Sequence, residues 1–184
     1  MRIQKWNENW KFWADKDSFA LVWNVPENAR TINLPHDAMI EEKAYGESGN
    51  HGNTGFRDGG VYTYVKHLFV GEDAKEKTMM LKFEGIYMNA MVYVNEQLAA
   101  KNMFGYTTFY VPPNDFLRYG QENEIRVQVR NNNMTNSRWY SGTGIYRPVW
   151  LYTVPKKHLR FDSVKITTLD YKEPKIRVEA WPNT

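Results

Sequence analysis

With 184 residues, the chain is long enough to bury one good core and the beginning of a second. Its 24 Lys and Arg residues exceed its 21 Asp and Glu residues by only three, and a net charge of +3 excludes the strong field that favours nucleic acid or an anionic membrane. The absence of cysteine excludes disulfides, thiolate catalysis and Cys-zinc sites. Aromatic residues make up 15% of the chain, a content that suits β cores, interfaces and carbohydrate sites equally.

The N-terminal segment, MRIQKWNENWKFW, lacks the apolar stretch and the small-residue cleavage site of a signal peptide. No apolar run in the chain approaches the roughly 18 residues that a membrane span requires. These patterns predict no membrane partner and a cytoplasmic protein, or an exported one whose signal has been removed.

Residues 41–60, EEKAYGESGNHGNTGFRDGG, contain six glycines and hardly any aliphatic side chain. The segment is too long and too polar for a hairpin turn, and loops of this length inside a compact domain are usually functional or disordered. A glycine-rich phosphate loop is not predicted here, because no helical pattern follows the glycines.

Beyond this loop the chain alternates along its length with a period of two, which predicts β-strands. VYTYVKHLFV predicts one strand over residues 61–70. TMMLKFEGI predicts another over residues 78–86, with Met79, Leu81 and Phe83 on one face.

Further strands follow in chain order. NAMVYVNEQLAA predicts two strands joined by a tight turn at Asn95 and Glu96. NEIRVQVRN predicts a strand whose inward residues are Ile125, Val127 and Val129 and whose outward residues are Glu124, Arg126, Gln128 and Arg130. No segment shows a convincing 3.6-residue period, so the chain is predicted to be an all-β sandwich or barrel.

A domain boundary is predicted near Pro155, where VPKKHLRF forms a basic, proline-containing bridge. FDSVKITTLD and PKIRVEAW predict two more strands beyond it. Two strands cannot form an independent core. Residues 1–154 are therefore predicted to form one domain, and residues 155–184 the start of a truncated second one.

Familiar catalytic and metal-binding patterns are absent from the sequence. The four histidines, His36, His51, His67 and His158, are scattered, and none shows the spacing of a preformed zinc site, so no metal site is predicted. No glycine-flanked serine elbow appears either.

The segment SRWYSGTGIYRPVWL, residues 137–151, concentrates two Trp, two Tyr, two Gly and two Arg in fifteen positions. Three interpretations are open on the residues alone: a packed corner of a β-sandwich, an aromatic platform for a flat ligand such as a sugar, and a surface that docks a partner.

Five motifs in this chain follow one another in a specific order. They are LPHD at residue 34, GVYTYVKHLFV at 60, LKFEGIYMNAMVYVNEQLAAKNMFGYTTFYV at 81, GQENEIRVQVRN at 120, and SRWYSGTGIYRPVWL at 137. In this order the chain resembles, over residues 1–154, the N-terminal sugar-binding domain of family 2 glycoside hydrolases, the family of β-galactosidases and β-glucuronidases. The resemblance implies a jelly-roll, galactose-binding-like β-sandwich, followed by the first strands of an immunoglobulin-like β-sandwich.

The resemblance also implies a function. In the family, the chemistry resides on two glutamates of a downstream (β/α)8 barrel, and no stretch of this chain matches either motif. The expected role is that of a non-catalytic domain of a retaining glycoside hydrolase, which packs on the barrel and helps to shape its sugar site. The candidate acids in the chain are instead expected to be surface charges; they are Glu41, Glu42, Asp58, Glu84 and Glu96.

Several expectations about the parent enzyme follow from the resemblance. Its substrate class is β-linked sugars, with a β-galactoside preferred. No cofactor is expected in this segment, although the parent enzyme would use sodium or magnesium ions as family members do. Members of the family are often homo-oligomers, and no nucleic-acid partner is expected.

Substrate-binding residues are carried over by position. In the family, a loop residue ahead of the first long strand contacts the sugar, and the corresponding residue here is Arg57 or Asp58. A second contact residue follows the VN hairpin and corresponds to Asn102. Planar and amide side chains suit sugar hydroxyls, whereas the alternative is that all three are ordinary surface turn residues. This chain departs from the family at Glu96 and Phe104, where many members have glycine.

The resemblance favours a structural role over sugar stacking for the rings of the 137–151 segment. Its expected structural motif comprises Trp139, Gly142, Gly144, Arg147 and Trp150. The glycines are expected to permit a turn, the Arg147 guanidinium to pair with a buried acid or with carbonyl groups, and Trp150 to pack inward.

Two alternatives from other functional classes stay open. A freestanding carbohydrate-binding module shares the sandwich and the rings, but it would end after its last strand. A structural or adhesive β-domain would have no sugar affinity, and it leaves the glycine-rich segment without a role.

Overall fold

The computed structural model describes residues 1–15, 23–132 and 140–183. Within them the chain forms twelve β-strands: β1 (Arg2–Lys5), β2 (Trp10–Ala14), β3 (Arg30–Ile32), β4 (Val61–Val70), β5 (Lys77–Phe83), β6 (Ala90–Val94), β7 (Gln97–Asn102), β8 (Phe109–Val111), β9 (Gln121–Arg130), β10 (Val149–Pro155), β11 (Leu159–Asp170) and β12 (Lys175–Pro182). Four short 3₁₀ turns lie at Met39–Glu41, His51–Thr54, Glu72–Glu76 and Asn114–Phe116. The all-β class predicted from the sequence is confirmed. None of the helical turns in the described ranges is long or apolar enough to cross a membrane.

Ten of these strands build two antiparallel sheets. One sheet has six strands in the order β3-β2-β4-β9-β6-β7, and the other has four in the order β1-β10-β5-β8. Side chains from both sheets share one buried cluster, in which Tyr64 and Val127 of the first sheet accompany Leu81, Phe83 and Leu151 of the second. The two sheets therefore face each other as a jelly-roll sandwich, and the predicted architecture is confirmed.

The longest strand pair, β4 with β9, lies in the middle of the six-stranded sheet. It runs over ten residue pairs, from Val61 opposite Arg130 to Val70 opposite Gln121. The predicted inward residues of β9 are fully buried in the core; they are Ile125, Val127 and Val129. The alternation of β-branched and polar residues thus assigned the core face of β9 correctly.

The outer face of β9 differs from the prediction. Arg126 and Gln128 point away from the core as expected, but both are buried rather than exposed to solvent. Trp13 and Trp23 cover this face, with ring centres 5.4 and 5.2 Å from the Arg126 guanidinium. Besides the cation–π attraction, the buried guanidinium pairs with Glu124 (2.8 Å) and donates to the Trp23 carbonyl (2.5 Å), and these contacts offset the cost of burying its charge.

The turn between β6 and β7 forms where the sequence predicts it. Asn95 and Glu96 have φ values of 48° and 68°, as the two central residues of a tight hairpin turn require. The Asn95 amide also donates hydrogen bonds to the Phe116 carbonyl (2.8 Å) and to the Asn123 side chain (2.7 Å).

Trp150 lies on the other face of β10 from the one predicted. Its neighbours Val149 and Leu151 enter the core, whereas Trp150 is half-buried on the outer face and its indole N–H donates to Glu84 over 2.9 Å. The prediction that Trp150 packs inward is wrong. Val149, Trp150 and Leu151 are all apolar, so alternation alone does not tell which of them faces the core.

Strands β11 and β12 form a separate two-stranded sheet. The Phe161 ring packs against Tyr110 (5.6 Å) and Tyr152 (5.1 Å) on the outer face of the four-stranded sheet. The Tyr110 hydroxyl donates to Asp162 over 2.5 Å. The hairpin thus begins after Pro155 and lies against the sandwich, while the domain boundary itself stays a prediction.

Candidate functional site

One end of the sandwich collects most of the long loops. Because neighbouring strands are antiparallel, the start of β4, the end of β9, the start of β6 and the end of β7 share this end of the six-stranded sheet. Asn131 binds the Gly142 carbonyl (3.1 Å), which brings in the segment ahead of β10. We call this region the loop end; it comprises residues 34–60, 84–89, 102–108 and 140–148.

The Asp37 carboxylate joins two parts of the loop end. One oxygen accepts hydrogen bonds from the backbone N–H of Thr143 (2.8 Å) and of Met39 (3.1 Å), and the other accepts from the Tyr140 hydroxyl (2.6 Å). Burial raises the pKa of Tyr140 and the bond to Asp37 raises it further, so the phenol keeps its proton.

The two glycines of the predicted turn lie directly beside this carboxylate. Gly142 has φ +72°, and a Cβ there would come within 2.7 Å of the Asp37 carboxylate. Gly144 has φ +136°, and a Cβ there would come within 2.5 Å of the Tyr64 hydroxyl. Both positions therefore need glycine for conformation and for space. Trp139, predicted to belong to the same motif, lies outside the described residues.

The glycine-rich segment is held in place by Asp58. Its carboxylate accepts hydrogen bonds from the Ser48 hydroxyl (2.5 Å), the Tyr45 hydroxyl and the Asn50 backbone N–H (3.4 Å). The bond from Ser48 is the largest cause of a lowered pKa of the Asp58 carboxyl, followed by the bond from Tyr45. The Asp58 carboxylate therefore organises the glycine-rich segment, and Asp58 itself lies near the C-terminal end of that segment.

Arg57 bridges the two ends of the same segment. Its Nε donates to the Glu42 carbonyl (3.0 Å) and its Nη1 to the Gly55 carbonyl (3.2 Å). The guanidinium is also close enough to Tyr140 to oppose the rise of that phenol's pKa. The structure thus brings Arg57 close to the Asp37–Tyr140 pair, and Asp58 follows Arg57 directly in the chain. We call these four residues the polar rim.

Asn102 lies at the same end of the sandwich but not in the polar rim. It closes β7, and its amide donates to the Phe104 carbonyl over 3.0 Å. Two strands, β9 and β6, separate β7 from β4. Three strand spacings place Asn102 about 14 Å from the start of β4 along the sheet.

Arg147 does not have the predicted partner. It is exposed, and its guanidinium lies over the Tyr146 ring at 5.3 Å. Within the described ranges its guanidinium makes no ion pair with an acid and no hydrogen bond with a carbonyl group, so the expected pairing is wrong for those residues. An exposed guanidinium gains more by stacking on a neighbouring ring while it remains hydrated.

A cluster around the partly buried His36 at the loop end was missed by the sequence analysis. His36 Nδ1 lies 2.8 Å from the Tyr64 hydroxyl, and Nε2 lies 3.2 Å from Glu41, which also pairs with Arg30. Because a carboxylate only accepts, Nε2 donates to it and Nδ1 accepts from Tyr64. Burial lowers the pKa of His36 to about 4, with Arg30 adding to the effect, so the ring is neutral at pH 7. The sequence feature that marks this cluster is the LPHD motif, in which His36 directly precedes Asp37.

A cavity of about 480 Å³ opens beside this cluster, lined among others by Arg30, Glu41, Glu42 and Tyr62. Tyr62 donates its hydroxyl to Glu42, which also accepts the Gly59 backbone N–H (3.3 Å). A second cavity, of about 530 Å³, opens at the other end of the sandwich among mostly apolar side chains and lies away from the polar rim.

Hydrogen-bond donors and cations engage four of the five candidate acids. Glu41 pairs with Arg30, Glu42 with Tyr62, Asp58 with Ser48, and Glu84 with the Trp150 indole. Glu96 is exposed in the hairpin turn at the opposite end of the sandwich. In the part of the chain that the structure describes, no three His, Asp or Glu side chains cluster as a metal site requires.

The sandwich and its loops match a known family. Residues 10–164 match the family model described as a glycosyl hydrolase 2 galactose-binding domain-like domain. The chain belongs to this family. The resemblance predicted from the five sequence motifs is thereby confirmed.

Relatives with known names support the same assignment. A β-galactosidase of Bacteroides ovatus is 32% identical over 91% of this chain and 20% of its own length. A β-glucuronidase of Bacteroides fragilis is 26% identical over 91% of this chain and 22% of its own length. The chain thus spans about a fifth of the length of the curated relatives it matches.

Solved structures agree with the fold. A glycosyl hydrolase family 2 member from Bacteroides cellulosilyticus superposes with a TM-score of 0.84 at 34% identity, over 92% of this chain and 23% of that one. A β-glycosidase from Bacteroides vulgatus superposes with a TM-score of 0.89 at 27% identity, over all of this chain and 24% of that one. The chain is therefore a galactose-binding-like domain of family 2 glycosidases.

Proposed function

We propose that this chain is the non-catalytic N-terminal domain of a retaining glycoside hydrolase and that its loop end completes the sugar site of a (β/α)8 barrel in the same gene product. The observation that carries the proposal is the polar rim. At one end of the sandwich the Arg57 guanidinium donates to backbone carbonyls, the Tyr140 phenol donates to Asp37, and the Asp58 carboxylate accepts from Ser48. Such groups, fixed before the ligand arrives, suit the donors and acceptors of sugar hydroxyls.

Catalysis is assigned to the barrel rather than to this chain. A retaining glycosidase needs a nucleophile and an acid/base carboxyl group about 5 Å apart, with one of them free to exchange a proton. Donors within the fold engage each of the loop-end acids, which favours a structural role over a catalytic one for Asp37, Glu41, Glu42 and Asp58. The chain alone is therefore proposed to be inactive.

The proposed substrate is a β-galactoside, in line with the name of the B. ovatus relative. A β-glucuronide is the second candidate. The B. fragilis relative favours it, and the Arg57 guanidinium at the rim is a cation of the kind that pairs with a uronate carboxylate.

The β11–β12 hairpin is proposed to begin the next domain, an immunoglobulin-like sandwich. One face of the hairpin is apolar and exposed, with Ile166 opposite Val178. The other face is charged, with Lys165 opposite Glu179. A sheet that is apolar on one face is stabilised when a second sheet covers it.

The test uses the full-length gene product with p-nitrophenyl β-galactoside and β-glucuronide. Arg57→Ala is expected to raise KM at least about tenfold, because a charged hydrogen bond to the substrate is worth roughly 1.5–3 kcal/mol. Gln97→Ala, an exposed position at the opposite end of the sandwich, is the matched control and should leave KM unchanged. Equal KM values for Arg57→Ala and the control would show that the polar rim is not part of the sugar site.

Hydrolysis together with a glycan-binding measurement on the full-length gene product separates the two other classes. A freestanding carbohydrate-binding module would bind glycans without any hydrolysis by the full-length product. A structural or adhesive β-domain would show neither hydrolysis nor glycan binding.

A further inference from the structure

The loop between β7 and β8 exposes two neighbouring aromatic rings. Phe104 is 59% exposed and Tyr106 is 49% exposed, and their ring centres lie 5.6 Å apart. Two adjacent rings on the surface expose apolar area that costs free energy in water, which makes them candidates for a contact with a ligand.

The backbone under these rings is fixed rather than loose. The Tyr146 hydroxyl donates to the Gly105 carbonyl (2.9 Å), and Asn102 donates to the Phe104 carbonyl (3.0 Å). The Tyr106 ring meets Tyr87 edge-on at 5.3 Å. A Cβ on Gly105 would come within 2.3 Å of the Tyr87 ring, so the loop is seated directly on that side chain. Rings presented by a fixed backbone bind with little entropic cost.

The aromatic pair is connected to the polar rim. Tyr87, which supports Tyr106, exchanges two backbone hydrogen bonds with Gly144, of 3.0 and 2.8 Å. Two residues before Gly144, Gly142 packs on the Asp37 carboxylate. The loop end therefore carries a polar contact surface and, linked to it through Tyr87 and Gly144, an aromatic one.

We propose that Phe104 and Tyr106 form a second saccharide contact, which binds sugar units of an oligosaccharide beyond the one held at the polar rim. The proposal rests on the proposed function. A pyranose ring has an apolar face that packs on an aromatic ring and an edge of hydroxyls that needs hydrogen-bonding groups.

Polar side chains border the aromatic pair and fit such a ligand. The Asn102 side chain lies at one side, and its carbonyl oxygen can accept from a hydroxyl. The exposed Arg147 guanidinium is stacked on Tyr146, whose hydroxyl donates to the Gly105 carbonyl between the two rings. A β-linked oligosaccharide is therefore the occupant that the chemistry of the surface matches.

The test compares two substrates of the full-length gene product. One is a glycosyl fluoride of the preferred sugar, whose leaving group is a single atom, and the other is a β-linked tetrasaccharide that ends in the same sugar. The variants Phe104→Ala and Tyr106→Ala are expected to lower the ratio of kcat/KM on the tetrasaccharide to kcat/KM on the fluoride by about tenfold each. Phe69→Ala, an exposed ring at the opposite end of the sandwich, is the matched control and should keep the wild-type ratio.

Thermal unfolding of the same variants separates the outcomes. A lowered ratio at an unchanged Tm supports the proposal. An unchanged ratio overturns it, and an unchanged ratio together with a lowered Tm shows that another part of the gene product covers the rings. If the wild-type protein hydrolyses neither substrate, the proposed function itself fails before this inference is reached.

Discussion

The Tyr140 phenol donates a hydrogen bond of 2.6 Å to the Asp37 carboxylate and so joins two segments that lie 103 residues apart. The same carboxylate accepts two backbone N–H groups, from Thr143 and Met39. One side chain therefore sets the geometry of the LPHD segment and of the Gly-Thr-Gly turn together.

Replacement of Asp37 tests this arrangement. Asp37→Ala leaves three donors without an acceptor and is expected to lower the free energy of unfolding of the chain by about 2–3 kcal/mol. Tyr140→Phe removes only the exposed phenol bond and should cost about 1 kcal/mol or less. Urea unfolding followed by tryptophan fluorescence measures both. Equal costs for the two variants would show that Asp37 does not organise the turn.

Gly59 and Gly49 offer a matched pair within the glycine-rich segment. Gly59 has φ +72°, and a Cβ there would come within 2.4 Å of the Asn131 carbonyl oxygen, whereas Gly49 has open space around it. Gly59→Ala is expected to cost at least about 2 kcal/mol of stability through the strained backbone and the clash. Gly49→Ala should change stability by less than about 0.5 kcal/mol. A mild effect of Gly59→Ala in the same unfolding assay would contradict the close packing of Gly59 against the Asn131 carbonyl.

The His36 ring makes the stability of the chain depend on pH. Its side chain is only 9% exposed, and its pKa is lowered from about 6.5 to about 4 by burial and by Arg30. The unfolded chain therefore binds the proton more tightly, and the free energy of unfolding falls as the pH falls below about 6.5. We expect a loss of about 2 kcal/mol from His36 between pH 7.5 and pH 5.

Two glutamine variants isolate this contribution. His36→Gln retains a donor and an acceptor but does not titrate, so its stability should vary less over this pH range than that of the wild type. His51→Gln, at an exposed histidine, should keep the wild-type dependence. Parallel pH profiles for the wild type and His36→Gln would show that His36 does not sense the pH.

Local sequence signals predicted most of the sandwich. The Asn95-Glu96 turn and the core face of β9 follow from turn chemistry and alternation, because both depend on residues close in sequence. The face of Trp150 could not be derived in this way, since Val149 and Leu151 flank it with apolar side chains.

The site was less predictable than the fold. Arg57 and Asp58 do lie at the loop end, but their hydrogen bonds show that they organise the glycine-rich segment itself. The contacts of Asp37 with Tyr140 and of His36 with Tyr64 join distant segments. Such contacts depend on how the two sheets and their loops meet, which short-range periodicity does not encode.

The exposed face of the β11–β12 hairpin predicts self-association of the isolated chain. Ile166 and Val178 are 65% and 58% exposed and lie opposite each other, so they form a continuous apolar patch. The double variant Ile166→Lys, Val178→Lys should shift sedimentation of the chain towards the monomer. Thr167→Lys, on the charged face, is the control and should sediment like the wild type. Unchanged self-association of the double variant would show that another surface of the chain mediates it.

The measurement that tests the central claim most directly is hydrolysis of p-nitrophenyl β-galactoside and β-glucuronide by this 184-residue chain and by the full-length gene product, side by side. We predict turnover by the longer protein alone, with the preferred sugar identifying the substrate class. Turnover by the 184-residue chain would contradict the assignment of catalysis to the barrel and would make Glu41, Glu42 and Asp58 the first residues to replace.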